Sequence, residues 1–231
     1  MIKPTYIDLL ARYGIDAAHP GGMPLTIRLL RTLNIDKNTK ILDVGCGTGK
    51  TSAFIARSYQ CSVTAADVND QMLIKSADRF TRENLCIELR KANAEALPFE
   101  SGTFDILLSE SVTTFTSINK AICEYYRVLK PSGTLAAVEI TAKTPLTAND
   151  LGNLKLVYGI DRILTRDEWV ESFSTSGFED IKSFMVPAVP TRNITSVNML
   201  RDFAPHLRIL NHYRRRLCYR VYICKKQYSF R

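Results

Sequence analysis

Residues Lys40–Thr51 read Lys-Ile-Leu-Asp-Val-Gly-Cys-Gly-Thr-Gly-Lys-Thr. An apolar run stops at the first glycine and a helical pattern of apolar residues follows Thr51, so this stretch predicts a strand, a glycine-rich turn and a helix start. Three glycines in five residues let the backbone pass close to a ligand without interference from Cβ atoms, and the first N–H groups of the helix are left unpaired. The stretch therefore predicts a ligand site.

Three ligands compete for this turn. A dinucleotide fingerprint requires glycine at position 50, which is Lys50 here. A phosphate-binding P-loop is closer, because Gly49-Lys50-Thr51 supplies its second half, but its first glycine falls at Val44. The third ligand is S-adenosylmethionine.

The pattern of an acidic residue followed by G-x-G-x-G resembles the first motif of the class I S-adenosylmethionine-dependent methyltransferases. Asp43, Gly45, Gly47 and Gly49 match that motif in full, and Cys46 lies inside the loop. In the family the loop packs against the methionine part of the cofactor, and the acidic residue helps to place its amino end. The resemblance implies S-adenosyl-L-methionine as cofactor. A carboxylate at position 43 would also repel a triphosphate.

A second strand, predicted over Ser62–Asp67, ends in a carboxylate. An acidic side chain at the carboxyl end of this strand can accept hydrogen bonds from both ribose hydroxyls of a bound nucleoside, so we predict that Asp67 binds the cofactor. Val68 and Met72 are further candidates for contact with the cofactor, Met72 with its adenine, although core packing explains Met72 as well. Asp70 is expected to cap the following helix.

The stretch Asn93-Ala94-Glu95 follows a third predicted strand, Leu85–Arg90. It resembles a D-A-x-x-L-P-F motif in which the aspartate binds the adenine amino group, with Asn93 in place of that aspartate. An amide oxygen accepts the same hydrogen bond without a charge. The resemblance therefore implies adenine contacts from Asn93, Ala94 and Glu95.

The fourth predicted strand, Phe104–Ser109, ends where donor and acceptor meet in the family, which implies that Ser109 contacts the cofactor. Asn- or Asp-Pro-Pro-aromatic and Pro-Cys motifs are absent there, which disfavours adenine, glutamine and cytosine-C5 as acceptors. Glu110 is a candidate base, and so is His19 in a Pro-Gly turn. Glu139 on the fifth strand either shares a crevice with Glu110 or bonds backbone groups.

The order of these motifs implies an α/β fold: a doubly wound, mostly parallel, seven-stranded Rossmann-like sheet with an antiparallel last strand and added lid helices. We predict one methyltransferase domain over residues 1–231. Within it, residues 1–37 form N-terminal lid helices, 38–185 the cofactor-binding core, 186–212 an inserted segment and 213–231 a closing strand with a basic tail. The insert is expected to hold a proline-marked loop and a helix over Ser196–Phe203.

Composition narrows the location and the chemistry. We expect a cytoplasmic protein that does not bind membranes, because the chain has neither an apolar run of about 18 residues nor a signal-peptide pattern. Its six scattered cysteines form no C-x-x-C pair, so neither a disulfide framework nor a metal site is predicted. The oligomeric state is not predicted.

The net charge of +8 lies entirely in the last segment of the chain. Residues 207–231 contain eight basic and no acidic residues. Such a segment is typical of a solvated strand edge and turn, or of a footprint for nucleic acid. The leading hypothesis is a methyltransferase acting on a small molecule. An RNA methyltransferase and, from another class, a P-loop-like nucleotide hydrolase remain as alternatives.

Overall fold

The computed structural model describes residues 5–186 and 196–227. The helices are α1 (Tyr6–Tyr13), α2 (Gly22–Leu30), α3 (Lys50–Tyr59), α4 (Asp70–Arg82), α5 (Ile118–Val128), α6 (Ala148–Tyr158), α7 (Arg166–Thr175) and α8 (Val197–Tyr213). The strands are β1 (Lys40–Val44), β2 (Ser62–Asp67), β3 (Glu88–Lys91), β4 (Phe104–Glu110), β5 (Leu129–Ala142), β6 (Phe178–Val186) and β7 (Leu217–Lys226).

The seven strands form one sheet in the order β3-β2-β1-β4-β5-β7-β6. Strands β1 to β5 are parallel, whereas β7 runs antiparallel to both of its neighbours, β5 and β6. The predicted fold class is confirmed. The strand order reverses between β1 and β4, and open α/β sheets bind ligands outside the carboxyl ends of the strands at such a point.

Both faces of the sheet are covered, as the apolar runs in β1, β2 and β4 require of buried parallel strands. On one face, Tyr125 of α5 and Trp169 and Phe173 of α7 pack against the sheet. On the other face, α2 and α3 bury Leu30 and Ile55. A capping box between Thr165 and Glu168 begins α7.

Two local predictions were wrong around β2 and β3. Strand β3 begins at Glu88 instead of Leu85, because its pairing with β2 begins where Thr64 lies beside Glu88. The cap of α4 is Asn69 and not Asp70: the Asn69 side chain accepts hydrogen bonds from the N–H groups of Gln71 and Met72. Asn69 has the extended backbone that an N-cap needs, whereas Asp70 already lies inside the helix.

The helix predicted to end at Phe203 extends to Tyr213 through Pro205. A proline inside a helix costs roughly 3 kcal/mol. Phe203, His206 and Tyr213 lie on the buried face on both sides of the proline, and α8 packs against α1 and α6, which offsets that cost. The predicted proline-marked loop falls mostly on residues 187–195, outside the described residues.

The basic C-terminal segment is not a strand edge, because β7 lies between β5 and β6. Several of its cations form hydrogen bonds with neighbouring elements. Lys226 Nζ donates to the carbonyl oxygens of Tyr126 and Leu129, each at 2.7 Å. Arg216 donates to the Asp150 carboxylate at 2.7 Å. Arg231 lies outside the described residues.

Within the two described ranges, no helix has the length and apolarity needed to cross a membrane. The cytoplasmic location and the single-domain organisation over residues 1–231 stay predictions.

Candidate active site

The glycine loop closes the carboxyl end of β1. The N–H groups of Gly45 and Cys46 donate to the carbonyl oxygen of Ala66 at 2.7 and 3.0 Å, which fixes the loop against β2. Gly49 has φ 74°, and a Cβ there would lie 2.7 Å from the Phe80 ring, so only glycine fits. A Cβ on Gly47 would meet nothing within 4 Å. Gly47 is therefore the glycine that a ligand can approach.

Asp67 lies beside this loop at the end of β2 and is 9% exposed. Its carboxylate accepts hydrogen bonds from the N–H groups of Gly47 and Asn69, each at 2.9 Å. Burial raises its pKa. The structure brings Asp67 and the glycine loop together, as the sequence predicted.

Asp43 is 2% exposed and accepts a hydrogen bond from Ser52 Oγ at 2.5 Å. Burial raises the pKa of Asp43 to about 7, and the charges of Glu110 and Asp67 add to the rise. Three carboxylates around one loop make the site suited to a positively charged ligand. The sulfonium and ammonium groups of S-adenosylmethionine fit these residues, whereas a triphosphate does not.

Asp16, between α1 and α2, was not singled out from the sequence. Its carboxylate accepts hydrogen bonds from Thr48 Oγ1 at 2.5 Å and from the Arg79 guanidinium at 2.7 Å. It also pairs with Lys50 Nζ at 3.4 Å. These contacts hold the segment that joins α1 to α2 on the glycine loop. No sequence motif includes Asp16, so only the structure identifies it.

Glu110 and His19 meet under α2. The Glu110 carboxylate accepts hydrogen bonds from Thr26 Oγ1 at 2.7 Å and from Thr51 Oγ1 at 2.9 Å. His19 Nε2 lies 3.5 Å from Glu110 Oε2, and the two side chains are only 4% and 7% exposed. The two candidate bases are therefore adjacent. Their contacts with Thr26 and Thr51 were not predicted, because Thr26 lies in no motif and Thr51 was noted only as part of a possible P-loop.

Glu139 does not share a crevice with Glu110. It is fully buried and accepts hydrogen bonds from the N–H groups of Thr113 and Thr114 at 3.0 and 3.3 Å, and from Thr114 Oγ1 at 2.7 Å. Of the two interpretations left open by the sequence, the backbone role is the one observed. Ser109 is also fully buried, 3.4 Å from Glu139. Ser109 and Glu110 face different surroundings because successive strand residues point to opposite faces.

The stretch after β3 bonds mainly within the protein. Asn93 Oδ1 accepts from the Glu95 N–H at 2.9 Å, and Glu95 Oε1 accepts from the Ser117 N–H at 2.8 Å, just before α5. Ala94 is buried in the core. The adenine contacts predicted for these three residues stay predictions.

The last predicted contacts differ in exposure. Val68 is 60% exposed, whereas Met72 and Cys46 are buried. Burial raises the pKa of the Cys46 thiol well above its ordinary value, so the thiol is neutral and not a nucleophile. An open groove of about 480 Å³ lies next to this region between α1 and the start of α4. Its lining residues are Asp8, Arg12, Asn69, Asp70 and Gln71.

A group of aromatic rings lies where α1, α6 and α8 meet. We call Tyr6, Phe115, Tyr158, Phe203 and His206 the aromatic cage. The centroid of the Tyr6 ring lies 5.0 Å from that of His206 and 5.1 Å from that of Tyr158. Phe203 and Phe115 follow at 6.0 and 6.3 Å. The cage joins α1, α6 and α8 to the short 3-10 turn Thr113–Phe115, which follows β4.

The described residues contain no group of three or more His, Cys, Asp or Glu side chains placed to hold a metal ion.

Comparisons with known proteins agree with this geometry. Residues 42–137 match a family described as "Methyltransferase domain". The chain is 35% identical to an uncharacterized methyltransferase, YodH, of Bacillus subtilis over 75% of this chain and 74% of that protein. It is 32% identical to the ubiquinone/menaquinone biosynthesis C-methyltransferase UbiE of Neisseria meningitidis over 60% of this chain and 58% of that protein.

A solved structure shares the fold. It is Haemonchus contortus phosphoethanolamine N-methyltransferase 2 in complex with phosphomonomethylethanolamine and S-adenosylhomocysteine. The TM-score is 0.81 at 16% identity, and the match covers 96% of this chain and 57% of that one.

Proposed function

This chain belongs to the class I S-adenosylmethionine-dependent methyltransferases, and we propose that it transfers a methyl group to a small-molecule acceptor. The observation that carries the proposal is the roof over the carboxyl end of β4, where α1 packs on α8 and Thr26 of α2 bonds to Glu110. In the segment between α1 and α2, the Asp16 carboxylate accepts a hydrogen bond from Thr48 of the glycine loop. Tyr6 of α1 packs against His206 in the aromatic cage. Such a covered space suits an acceptor small enough to be enclosed.

The residues around the glycine loop would hold the cofactor. We assign the ribose hydroxyls to the Asp67 carboxylate, the close approach of the cofactor to the open face of Gly47, and the amino end to the side of Asp43. The groove lined by Asn69, two residues after Asp67, would receive the adenosine end. S-adenosylmethionine supplies a methyl group that is already activated for displacement.

The protein's own contribution is then mainly to position the acceptor and exclude water. Alignment of two reactants in one site can supply roughly 7 to 11 kcal/mol of the barrier. Glu110 lies at the end of β4 with His19 beside it, and a carboxylate–imidazole pair can take a proton from an acceptor. We propose Glu110 and His19 as the groups that do so.

The alternative of an RNA acceptor has less support. Arg216, Lys225 and Lys226 of the basic segment bond to side chains or carbonyl groups of the protein. Arg208 lies on α8, and Arg214 and Arg215 follow it directly. These three side chains are exposed and would be the RNA contacts in this alternative. The P-loop alternative has less support as well, because Lys50, the lysine that would bind phosphate, pairs with Asp16.

The test uses the full chain and isotopically labelled S-adenosylmethionine. We expect label to appear in low-molecular-weight compounds of a metabolite extract and not in total RNA supplied at the same mass. Label in RNA, with activity that falls steeply as salt rises, would support the RNA alternative instead. Calorimetry with S-adenosylhomocysteine, repeated with ATP and magnesium, checks the cofactor separately from the acceptor.

A further inference from the structure

His206 leaves a buried polar atom without a partner. The residue is 5% exposed, and its Nδ1 has no hydrogen-bond partner among the described residues. Buried polar atoms are nearly always bonded, because leaving one unpaired costs free energy. Burial also lowers the pKa of His206, so its imidazole is neutral and one ring nitrogen can accept a hydrogen bond.

The surroundings of His206 are rings. Tyr6, Tyr158 and Phe203 have ring centroids within 5.0 to 5.8 Å of the imidazole centroid. The Tyr158 hydroxyl donates to the backbone oxygen of His206 at 3.1 Å and so is already used. The Tyr6 hydroxyl makes no hydrogen bond with the described residues, and burial raises the pKa of Tyr6 to about 12. His206 Nδ1 is thus an unpaired buried polar atom in surroundings made mainly of aromatic rings.

The aromatic cage lies close to the carboxyl end of β4, at the end of the sheet where we place the acceptor. Phe115 ends the 3-10 turn that follows β4, five residues after Glu110. Parallel strands of this sheet place their ligand site at their carboxyl ends. The cage therefore lies at the carboxyl-end side of the sheet, where we place the acceptor.

Helix α1 can release Tyr6 without losing its other anchor. Its last turn is fixed to α8, because the Tyr13 hydroxyl donates to Asp202 at 2.7 Å and Arg12 pairs with the same carboxylate at 3.6 Å. Tyr6 lies in the first turn, next to the exposed Thr5. Apart from the ring contacts of Tyr6, the hydrogen bonds of this first turn run between Thr5 and Asp8 and not to another element.

We propose that the aromatic cage is the acceptor site and that the acceptor's ring takes the place of the Tyr6 ring, with an acceptor hydroxyl donating to His206 Nδ1. This proposal rests on the proposed function. It names the acceptor class as a neutral, flat ring compound that bears a hydroxyl group.

A cationic acceptor fits less well. Aromatic faces attract cations, but the ring contacts that define the cage include no carboxylate to neutralise a buried charge. Two strand carboxylates lie near the cage, and both are already bonded: Glu110 to Thr26 and Thr51, and Glu139 to Thr113 and Thr114. A hydroxyl donor satisfies His206 Nδ1, whereas a quaternary ammonium group has no proton to donate.

The experiment uses the full chain saturated with S-adenosylhomocysteine and three probes of similar shape: p-cresol, p-xylene and phenyltrimethylammonium. Tyr6→Ala removes the ring that fills the cage. We expect this variant to bind p-cresol about tenfold more tightly than the unaltered chain does, and about fivefold more tightly than it binds p-xylene. Calorimetry or ligand-observed NMR measures both ratios.

Two matched pairs of variants distinguish binding in the aromatic cage from effects that any tyrosine or histidine substitution on these helices would have. Tyr13→Ala removes a tyrosine from the same helix and is expected to create no preference for p-cresol. Adding His206→Phe to Tyr6→Ala should abolish the preference for p-cresol over p-xylene, whereas adding His212→Phe, which alters an exposed histidine of α8, should keep it. Tyr6→Leu replaces Tyr6→Ala if the smaller side chain prevents folding.

Equal binding of p-cresol and p-xylene, tighter binding of the ammonium probe, or a preference that survives His206→Phe would overturn the proposal. Retained binding of S-adenosylhomocysteine in the same samples would show that the methyltransferase function stands even then. Loss of that binding in the unaltered chain would count against the function itself.

Discussion

The glycine loop and the aromatic cage lie at the same end of the sheet but are built in different ways. The loop comes from consecutive residues, and Gly47 lies within hydrogen-bond reach of Asp67, which ends the next strand. The cage brings together residues as far apart as Tyr6 and His206. A loop formed by one segment can recur in many proteins. A cage formed by four segments can change its side chains without disturbing that loop. The cofactor side is therefore the general part of this molecule and the acceptor side the specific part.

The two regions also differ in charge. Asp43, Asp67 and Glu110 surround the loop, and burial together with their mutual repulsion raises the pKa of Asp43. The cage is neutral, with His206 as its unpaired polar group. This contrast suits a cationic cofactor on one side and a neutral acceptor on the other.

The largest expected effect concerns Glu139, which bonds to the turn that carries Phe115 of the aromatic cage. Glu139→Ala leaves the buried N–H groups of Thr113 and Thr114 without an acceptor, in the turn that carries Phe115. At about 1 to 3 kcal/mol for each group, the free energy of unfolding should fall by about 4 kcal/mol. Urea unfolding measures it, and the exposed Glu100→Ala serves as control. A loss below about 1 kcal/mol would mean that the turn does not depend on Glu139.

The next effect concerns the loop side. Asp67→Ala removes the carboxylate that we assign to the ribose and that accepts from the Gly47 N–H. We expect the affinity for S-adenosylhomocysteine to fall about 100-fold, since hydrogen bonds to charged groups contribute about 1.5 to 3 kcal/mol each. The control is Asp78→Ala, which removes an exposed carboxylate of α4 that does not line the groove. Equal losses in both variants would remove the assignment.

A smaller effect depends on pH. The pKa of Asp43 is raised from its ordinary value of 3.8 to about 7, so the folded state binds this proton more tightly than the unfolded state. The resulting stabilisation is complete below about pH 4 and is lost as pH rises through about 7. Relative to Asp43→Asn, the chain should lose at most about 1.4 kcal/mol of unfolding free energy per pH unit in that window. A difference that does not change with pH would contradict the burial argument.

The smallest expected effect sharpens the distinction from a phosphate-binding loop. Lys50 is partly exposed and pairs with Asp16 at 3.4 Å. Lys50→Ala should change the unfolding free energy by less than about 1 kcal/mol and leave the affinity for S-adenosylhomocysteine within about twofold. Calorimetry and urea unfolding test both. A loop that binds phosphate through this lysine would instead lose its ligand.

Much of the cofactor side could be predicted, because its signals are local. Asp43, Gly47 and Asp67 were identified from strand ends and glycine spacing, and the structure places them around one loop. The cap of α4 was misassigned because asparagine and aspartate both suit an N-cap, and only the backbone angles choose Asn69. The end of α8 was misplaced because a proline is a local signal, whereas the packing that overrides it is not.

The acceptor side could be predicted only in part. Glu110 and His19 were named as candidates and do meet, but the hydroxyls of Thr26 and Thr51 that hold Glu110 were not found. His206 was not singled out at all. A histidine on the buried face of a helix has no sequence pattern that separates packing from ligand contact.

The sequence by itself determined the strand, loop and helix at Lys40–Thr51, because glycine conformation and apolar periodicity act between neighbouring residues. The resemblance of its motifs to the class I methyltransferases implied the fold class and the cofactor. Only the tertiary structure decided that Glu139 supports a turn while Glu110 meets His19, and that Tyr6 fills a cage around an unpaired His206. Burial and hydrogen bonding of a side chain depend on segments far away in the chain, and those segments meet only after folding.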